Sequence, residues 1–313
     1  MLRLEEFEIK TPETLAEAAS LLAASEDAAV IGGGTDLVPK MKRGQLTPKV
    51  LVSLDRIVEL RSVEDNAGRL SLGSGVTLRS LEGHPGLEPY RAVREAIREV
   101  ATPIIRNTAT LGGNLLQDTR CRYYDRSLFW RDAVGYCMKK EGDECRVAPG
   151  SGRCFASFCS DVAPAMAVLE AQVRVVGEKE ETLPLEGIYL DDGIEYADMR
   201  RRILAGVILE DKGYTSTYKK LRLRGGFDFP EVGVAVAVRE DGNDITANVA
   251  LTGIGSCIFL QREEVSRDGV PDLIERIYKA VKPVDTMFFS PAYRKKMAKR
   301  LLTKAFDELL PAG

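Results

Sequence analysis

The residues of this sequence best suited to chemistry are its cysteines. Five of the six lie between positions 121 and 159, and Cys121, Cys137, Cys145 and Cys154 are separated by 15, 7 and 8 residues. Cysteine thiolates ligate zinc and iron–sulfur clusters. No secretory signal is visible at the N-terminus, so we expect a reducing, cytoplasmic environment. There, such clustering indicates metal or redox chemistry rather than disulfide bonds.

The spacing of these four cysteines leaves the metal open. It is neither the C-x2-C of zinc knuckles nor the close run of a bacterial ferredoxin. A [4Fe–4S] cluster and a structural zinc ion are equal alternatives on spacing alone. Cys159 is an additional candidate ligand, whereas Cys257 suits an unliganded thiol. Basic residues interleaved with the cysteines would offset the negative charge of a thiolate-ligated cluster: Arg120, Arg122, Lys139, Lys140, Arg146 and Arg153.

Two turns rich in small residues form the second group of candidates. Successive backbone N–H groups in such turns can cradle phosphate, so two of them can hold one pyrophosphate from two sides. The first turn follows the short apolar run Ala28 to Ile31, which predicts a buried strand. The turns read Gly32-Gly33-Gly34-Thr35-Asp36-Leu37 and Thr110-Leu111-Gly112-Gly113-Asn114.

A Rossmann dinucleotide site is a rival interpretation of the first turn. Asp55 lies about 20 residues further on, where the ribose-binding acid of that motif would stand. Against it, the bulky Leu37 occupies the position of the third glycine of G-x-G-x-x-G. A glycine turn without any ligand also stays open as an alternative.

Length and composition narrow the class of protein. A chain of 313 residues predicts two or three domains. The formal net charge of −3 gives no reason to expect nucleic acid or an anionic membrane as partner, and no apolar run approaches the ~18–20 residues of a membrane span. The single histidine, His84, lies in a Gly-His-Pro-Gly sequence that predicts an exposed turn. Histidine-ligated metal sites and a Ser-His-Asp triad are therefore disfavoured.

The remaining patterns predict a mixture of helices and strands. Thr11-Pro12 is expected to begin a helix that ends near Ala24. Residues 232–239 and 245–252 predict a hairpin around Asp241-Gly242-Asn243. Ser290-Pro291 is expected to cap a long C-terminal helix, with Arg294 in a basic cluster on its solvated face.

Taken together, three segments resemble the FAD-binding medium subunit of the molybdenum hydroxylases, the family that includes xanthine dehydrogenase and aerobic carbon monoxide dehydrogenase. The later run 218–224, with Asp228 and Pro230, is similar to the start of that family's C-terminal domain. The three segments are Val30 to Leu37, Arg106 to Asn114, and Ser160-Asp161-Val162-Ala163-Pro164-Ala165.

The resemblance implies an α+β fold. It would consist of a two-subdomain FAD-binding domain of the vanillyl-alcohol-oxidase/PCMH type and a C-terminal domain of the CO dehydrogenase flavoprotein type. The FAD-binding domain is expected over residues 1–210, with subdomains of about 1–57 and 58–210, and the C-terminal domain over 211–313.

An insert at 120–160 distinguishes this chain from most members of that family. Its Cys121-Arg122-Tyr123-Tyr124 and Cys145-Arg146-Val147-Ala148-Pro149 resemble the β subunit of 4-hydroxybenzoyl-CoA reductase, in which the loop carries a [4Fe–4S] cluster. This resemblance, not the spacing, favours the cluster over zinc. It implies cluster ligation by Cys121, Cys137, Cys145 and Cys154.

The resemblance also implies roles for other residues. The FAD pyrophosphate would be held by the two glycine turns. Asp161 would contact ribose or the adenine-side scaffold, Lys220 would lie near the isoalloxazine, and Thr102 and Leu204 would line the flavin. The expected FAD-binding residues are Val30, Ile31, Gly32, Gly33, Gly34, Thr35, Asp36, Leu37, Thr102, Thr110, Gly112, Gly113, Asn114, Asp161, Leu204 and Lys220.

The implied assembly is a heterotrimer, itself dimerised, with a large molybdopterin subunit and a small [2Fe–2S] subunit. The implied activity is reductive removal of the phenolic hydroxyl of 4-hydroxybenzoyl-CoA, with ferredoxin as electron donor. Two alternatives remain: the FAD subunit of an oxidative hydroxylase for xanthine, nicotinate or CO, and a non-enzymatic binding module stabilised by zinc.

Overall fold

A computed structural model describes residues 3–66, 68–199 and 201–311. In chain order its strands are β1 Glu8–Lys10, β2 Ala28–Ile31, β3 Val50–Ser53, β4 Val63–Asn66, β5 Arg69–Gly73, β6 Gln172–Val176, β7 Glu180–Pro184, β8 Ile203–Glu210, β9 Thr215–Leu221, β10 Val232–Asp241, β11 Asp244–Thr252 and β12 Phe259–Ser266. Its α-helices are α1 Leu15–Ala23, α2 Leu37–Lys42, α3 Leu78–Glu82, α4 Arg91–Glu99, α5 Pro103–Arg106, α6 Leu111–Leu115, α7 Leu128–Ala133, α8 Val162–Ala167, α9 Val270–Ala280 and α10 Pro291–Leu309.

A small parallel sheet of order β1-β3-β2 opens the chain and ends at the first glycine turn. Helix α1 packs on it through Leu15, Ala18 and Leu22. The predicted N-cap at Thr11 is wrong by three residues. Thr14 caps the helix, since its hydroxyl accepts a hydrogen bond of 3.2 Å from the N–H of Glu17.

The middle of the chain forms an antiparallel sheet of order β4-β5-β8-β6-β7. Its central strand, β8, is buried along almost its whole length, which explains its continuous apolar sequence. Helices α3, α4, α6 and α8 contribute to one large core on this sheet. That core holds the second glycine turn, at the start of α6, in a fixed position beside the first.

The last part of the chain is an antiparallel sheet of order β12-β11-β10-β9 with α9 and α10 on one face. The predicted hairpin is present as β10 and β11. The other face, including Ala235 and Ala237, packs into the core of the preceding sheet. This two-sided burial explains why β10 is apolar from Val232 to Val238.

The long C-terminal helix begins after Ser290, whose hydroxyl accepts from the N–H of Tyr293, as predicted. Arg294, however, is fully buried rather than solvated. Its guanidinium donates to the backbone carbonyls of Glu231, at 3.0 Å, and Val284, at 2.8 Å. These hydrogen bonds satisfy the buried guanidinium, which the local sequence pattern predicted to be exposed to solvent.

The three sheets fall into consecutive parts of the chain. The small parallel sheet lies before residue 57, the five-stranded sheet ends with β8 at Glu210, and the four-stranded sheet follows. The predicted divisions at about 57 and 210 fall between these sheets, and they stay a prediction. In the described part of the chain, no helix has the length and apolar character to span a membrane.

Candidate functional site

The first glycine turn leaves β2 and packs backbone against backbone on the loop that precedes α6. A Cβ on Gly33 would lie 1.8 Å from the carbonyl oxygen of Thr108. A Cβ on Gly32 would lie 3.0 Å from the hydroxyl of Thr110. Glycine is therefore required at position 33 because any side chain would force the two turns apart.

The second turn is fixed from below by its own cap and by the neighbouring strand end. The hydroxyl of Thr110 accepts from the N–H of Gly113 at 3.1 Å, and the N–H of Gly112 donates to the carbonyl of Ser74 at 2.8 Å. A Cβ on Gly112 would meet the Cβ of Ser74 at 2.9 Å. The two turns thus form opposing walls of one cleft.

Two adjoining cavities occupy this cleft, with volumes of about 260 and 800 Å³. Both are lined by residues 31–35, Asp55, Arg61, Gly75 and Thr110, so that they form one elongated groove. Lys40, Arg61 and Arg202 place cationic groups on its wall. Glycine backbone, hydroxyls and cations are the donors that a pyrophosphate requires, and the length of the groove suits a dinucleotide. The residues present therefore fit FAD.

Most of the predicted FAD residues line this groove. The structure brings together Val30, Ile31, Gly32, Gly33, Gly34, Thr35, Asp36, Leu37, Thr110, Gly112, Gly113 and Leu204. Asn114 lies beneath it, where its side-chain oxygen accepts from the hydroxyl of Ser160 and the N–H of Val162. Thr102 is the N-cap of α5 and is not on the groove wall.

Asp161 and Lys220 also lie away from the groove, in a buried ion pair. The ammonium of Lys220 is 3.0 Å from the carboxylate and donates to the carbonyls of Glu99 and Asp228. Tyr218 donates its hydroxyl proton to Asp161 at 2.7 Å. The pair joins the start of α8 to strand β9 of the C-terminal sheet. A role for either residue toward FAD stays a prediction.

The four predicted ligand cysteines line a single small cavity in the 120–160 loop. Cys121, Cys137, Cys145 and Cys154 are all buried, although they are distant in sequence. Cys159 and Cys257 are not on its wall. The cavity is closed by Tyr123, Tyr124, Met138, Lys139, Arg146, Val147 and Ala156.

Burial disfavours the deprotonated form of two of these thiols, Cys121 and Cys154. It raises the pKa of Cys121 to about 12 and that of Cys154 to about 11. For Cys154, a hydrogen bond from the N–H of Ala156 and the charge of Lys139 oppose the shift. A bound metal would be needed to keep such thiols deprotonated at neutral pH. Within residues 3–66, 68–199 and 201–311, no group of three or more His, Cys, Asp or Glu is arranged to hold a single metal ion.

Three charged residues connect the two cavities, and two of them, Lys40 and Asp118, are not among the residues that the sequence motifs indicate. Asp118 lies between Lys40 and Lys139 and is in contact with both. Burial alone would raise the pKa of the Asp118 carboxyl, but the two ammonium groups lower that pKa to about 2. Burial lowers the pKa of Lys40. The only local signal was the position of Asp118 and Lys139 beside the glycine and cysteine motifs.

Comparison with known proteins identifies the family of this chain. Residues 5–209 match the family described as the FAD binding domain in molybdopterin dehydrogenase. The FAD-binding subunit PaoB of aldehyde oxidoreductase from Escherichia coli (strain K12) is 30% identical over 80% of this chain and 82% of its own. The carbon monoxide dehydrogenase medium chain of Hydrogenophaga pseudoflava is 23% identical over 96% of each chain.

Solved structures share the fold over nearly the full length. Carbon monoxide dehydrogenase from Hydrogenophaga pseudoflava superposes with a TM-score of 0.76 at 19% identity, covering 98% of both chains. Quinoline 2-oxidoreductase from Pseudomonas putida 86 gives a TM-score of 0.74 at 19% identity with the same coverage. The expected fold class is thereby confirmed. The chain belongs to the FAD-binding subunits of the molybdenum hydroxylase family, and FAD is its cofactor.

Proposed function

We propose that this chain carries both FAD and a [4Fe–4S] cluster and is the electron-transfer subunit of a molybdenum enzyme that reductively dehydroxylates 4-hydroxybenzoyl-CoA to benzoyl-CoA. The observation that carries the proposal is the convergence of four buried cysteines on one cavity in an inserted loop. None of these four thiols lines the FAD groove, so they are available to a second bound group. The resemblance of the insert to the reductase β subunit supplies the substrate.

The residues around that cavity fit a thiolate-bound cluster. Four cysteines satisfy the ligand count of a cubane cluster, and the partly buried Met138 and Val147 pack against Cys121 and Cys154. Lys139 supplies a buried positive charge on the wall. When bound, the cluster and FAD supply the electron transfer, while the chain positions them and sets their electrostatic surroundings.

The proposed partners follow from the same assignment. They are a large molybdopterin subunit, a small [2Fe–2S] subunit and a ferredoxin that donates electrons, in a heterotrimer that dimerises in the cytoplasm. The names of the relatives, a "medium chain" and "FAD-binding subunit", support the multi-subunit assembly.

An oxidative molybdenum hydroxylase is the second candidate, because the relatives favour it. They include FAD subunits of an aldehyde oxidoreductase, a nicotinate dehydrogenase and carbon monoxide dehydrogenases. In that case FAD bound in the same groove would receive the electrons removed from a substrate as it is hydroxylated. The cysteine loop would hold zinc or an additional cluster.

The direction of electron flow separates the two candidates. The chain would be purified with its partner subunits without oxygen and supplied either with reduced ferredoxin and 4-hydroxybenzoyl-CoA or with a dye acceptor and aldehydes, nicotinate, xanthine or CO. We expect benzoyl-CoA in the first assay. Substrate oxidation in the second, without benzoyl-CoA in the first, would contradict the proposal.

Substitution of one thiol tests the cluster assignment. We expect Cys121→Ser to lower the iron and acid-labile sulfide content and the ferredoxin-linked rate while FAD is retained. Cys257→Ser is the matched control, since Cys257 is not on the cavity wall. Full cluster content and full donor-linked activity in Cys121→Ser would overturn the ligand assignment.

A further inference from the structure

A row of side chains with alternating positive and negative charge runs from the cysteine cavity to the FAD groove. The ammonium of Lys139 is 2.7 Å from a carboxylate oxygen of Asp118, whose other oxygen contacts the ammonium of Lys40. Lys40 lies 3.9 Å from the carboxylate of Asp36, which also pairs with Arg120. We call Lys139, Asp118, Lys40 and Asp36 the ion chain.

The ends of the ion chain belong to different sites. Lys139 lines the cysteine cavity. Asp118, Lys40 and Asp36 line the FAD groove. The side chains of Lys139 and Lys40 are only 4% and 1% exposed, so water screens their interactions weakly. Each buried charge is therefore stabilised mainly by the neighbouring charge in the ion chain.

The position of Lys139 is set by several groups at once. Its ammonium also donates to the hydroxyl of Thr119, at 2.7 Å, and to the carbonyl of Gly193. The ring of Tyr124 lies 4.9 Å from this ammonium and 5.4 Å from that of Lys40. Tyr124 itself closes the cysteine cavity. Displacement of Lys139 would therefore disturb both the loop and the groove wall.

We propose that Lys139 is a positioning residue that couples the two sites, so that occupancy of the cysteine cavity by an anionic thiolate-bound group tightens FAD binding. The inference rests on the proposed function, since it requires that the cavity bind such a group. Negative charge in the cavity adds a further attraction to the contacts that hold Lys139 in place. Lys139 then fixes Asp118, and Asp118 fixes Lys40 on the groove wall. FAD consequently binds to a wall that is already ordered.

Coupling between sites is reciprocal and measurable as a ratio of affinities. The full-length chain would be prepared with the cluster reconstituted from iron and sulfide, and again with the metal removed by a chelator. FAD would be titrated into both flavin-free forms, and its Kd followed by quenching of flavin fluorescence. We expect the Kd to be at least about fivefold lower in the cluster-loaded form.

Two substitutions interrupt the ion chain from opposite sides. In Lys139→Met and in Asp118→Asn we expect the same Kd for the loaded and stripped forms. Lys299→Met is the matched control, because Lys299 pairs with Glu275 between α9 and α10 and lines neither cavity, and it should keep the wild-type ratio. A general loss of stability would weaken FAD binding to the loaded and the stripped forms alike. The ratio of the two Kd values would then stay at its wild-type value.

Each outcome decides the inference. Equal Kd values for the two wild-type forms would overturn the coupling while leaving FAD and cluster binding intact. A wild-type ratio retained in both Lys139→Met and Asp118→Asn would overturn the role of Lys139. A chain that takes up FAD but neither iron nor sulfide would overturn the proposed cluster together with this inference.

Discussion

Replacement of Gly33 by alanine tests the geometry of the FAD groove most severely. The added Cβ would lie 1.8 Å from the carbonyl oxygen and 2.7 Å from the carbonyl carbon of Thr108. Both are backbone atoms, so no side-chain rotation relieves the clash. Relief to 3.0 Å, the shortest separation that real Cβ atoms reach, requires the two turns to move apart by about 1.2 Å (3.0 − 1.8).

The expected cost follows from that displacement. Insertion of one extra carbon into a packed site costs about 1–3 kcal/mol when the backbone must shift. Because the shift separates the opposing walls that would hold the pyrophosphate, we expect it to appear in cofactor affinity. A cost of this size corresponds to FAD binding weakened roughly 5- to 150-fold.

The assay is a titration of flavin-free protein with FAD, followed by fluorescence quenching. Gly83→Ala is the matched control, since a Cβ at Gly83 meets nothing within 4 Å. Gly32→Ala should have a smaller effect, because its Cβ would only meet the Thr110 side-chain hydroxyl at 3.0 Å. FAD affinity in Gly33→Ala equal to that of Gly83→Ala would refute the assignment of the groove.

Three further substitutions test the interior of the fold. Asn114→Ala removes the acceptor of the buried Ser160 hydroxyl and should lower the free energy of unfolding by about 1–3 kcal/mol in urea denaturation. Lys220→Met leaves a buried carboxylate without its cation and should cost roughly 3–5 kcal/mol in the same assay; an unchanged unfolding midpoint would contradict either prediction. Burial alone would raise the pKa of Glu170. Hydrogen bonds from Lys212 and neighbouring groups outweigh burial and lower this pKa from 4.5 to about 2. Its stabilising effect is therefore complete above pH 4.5 and lost as the pH falls toward 2. Glu170→Gln should flatten the stability curve over that range, and an unaltered curve would contradict the assignment.

The sequence predicted best those features that depend on residue type alone. Clustered cysteines in a chain that is expected to stay reduced indicate metal or redox chemistry, and the backbone of Thr108 could not approach position 33 this closely with any residue other than glycine. The hairpin of β10 and β11 was predictable because two runs rich in β-branched and apolar residues flank an Asp-Gly-Asn turn. Each of these signals lies within a short segment of the chain.

Features set by tertiary contacts escaped prediction. Arg294 follows a helical pattern that predicts a solvated face. It is nevertheless buried, and backbone carbonyls from other segments accept its hydrogen bonds. Lys40 carries no local signal for burial, because its partner Asp118 lies 78 residues away. Asp161 and Lys220 were assigned through motif resemblance, and their mutual pairing became visible only in the fold. The helix start at Thr14 differs from prediction because Thr11-Pro12 offers an equally good local cap.

The central claim is that one chain carries both FAD and a [4Fe–4S] cluster. It is tested most directly by measuring iron, acid-labile sulfide, zinc and FAD per chain after purification without oxygen. We expect one FAD with about four irons and four sulfides. FAD accompanied by zinc and no sulfide would contradict the claim, reduce the cysteine loop to a structural brace and favour the oxidative hydroxylase.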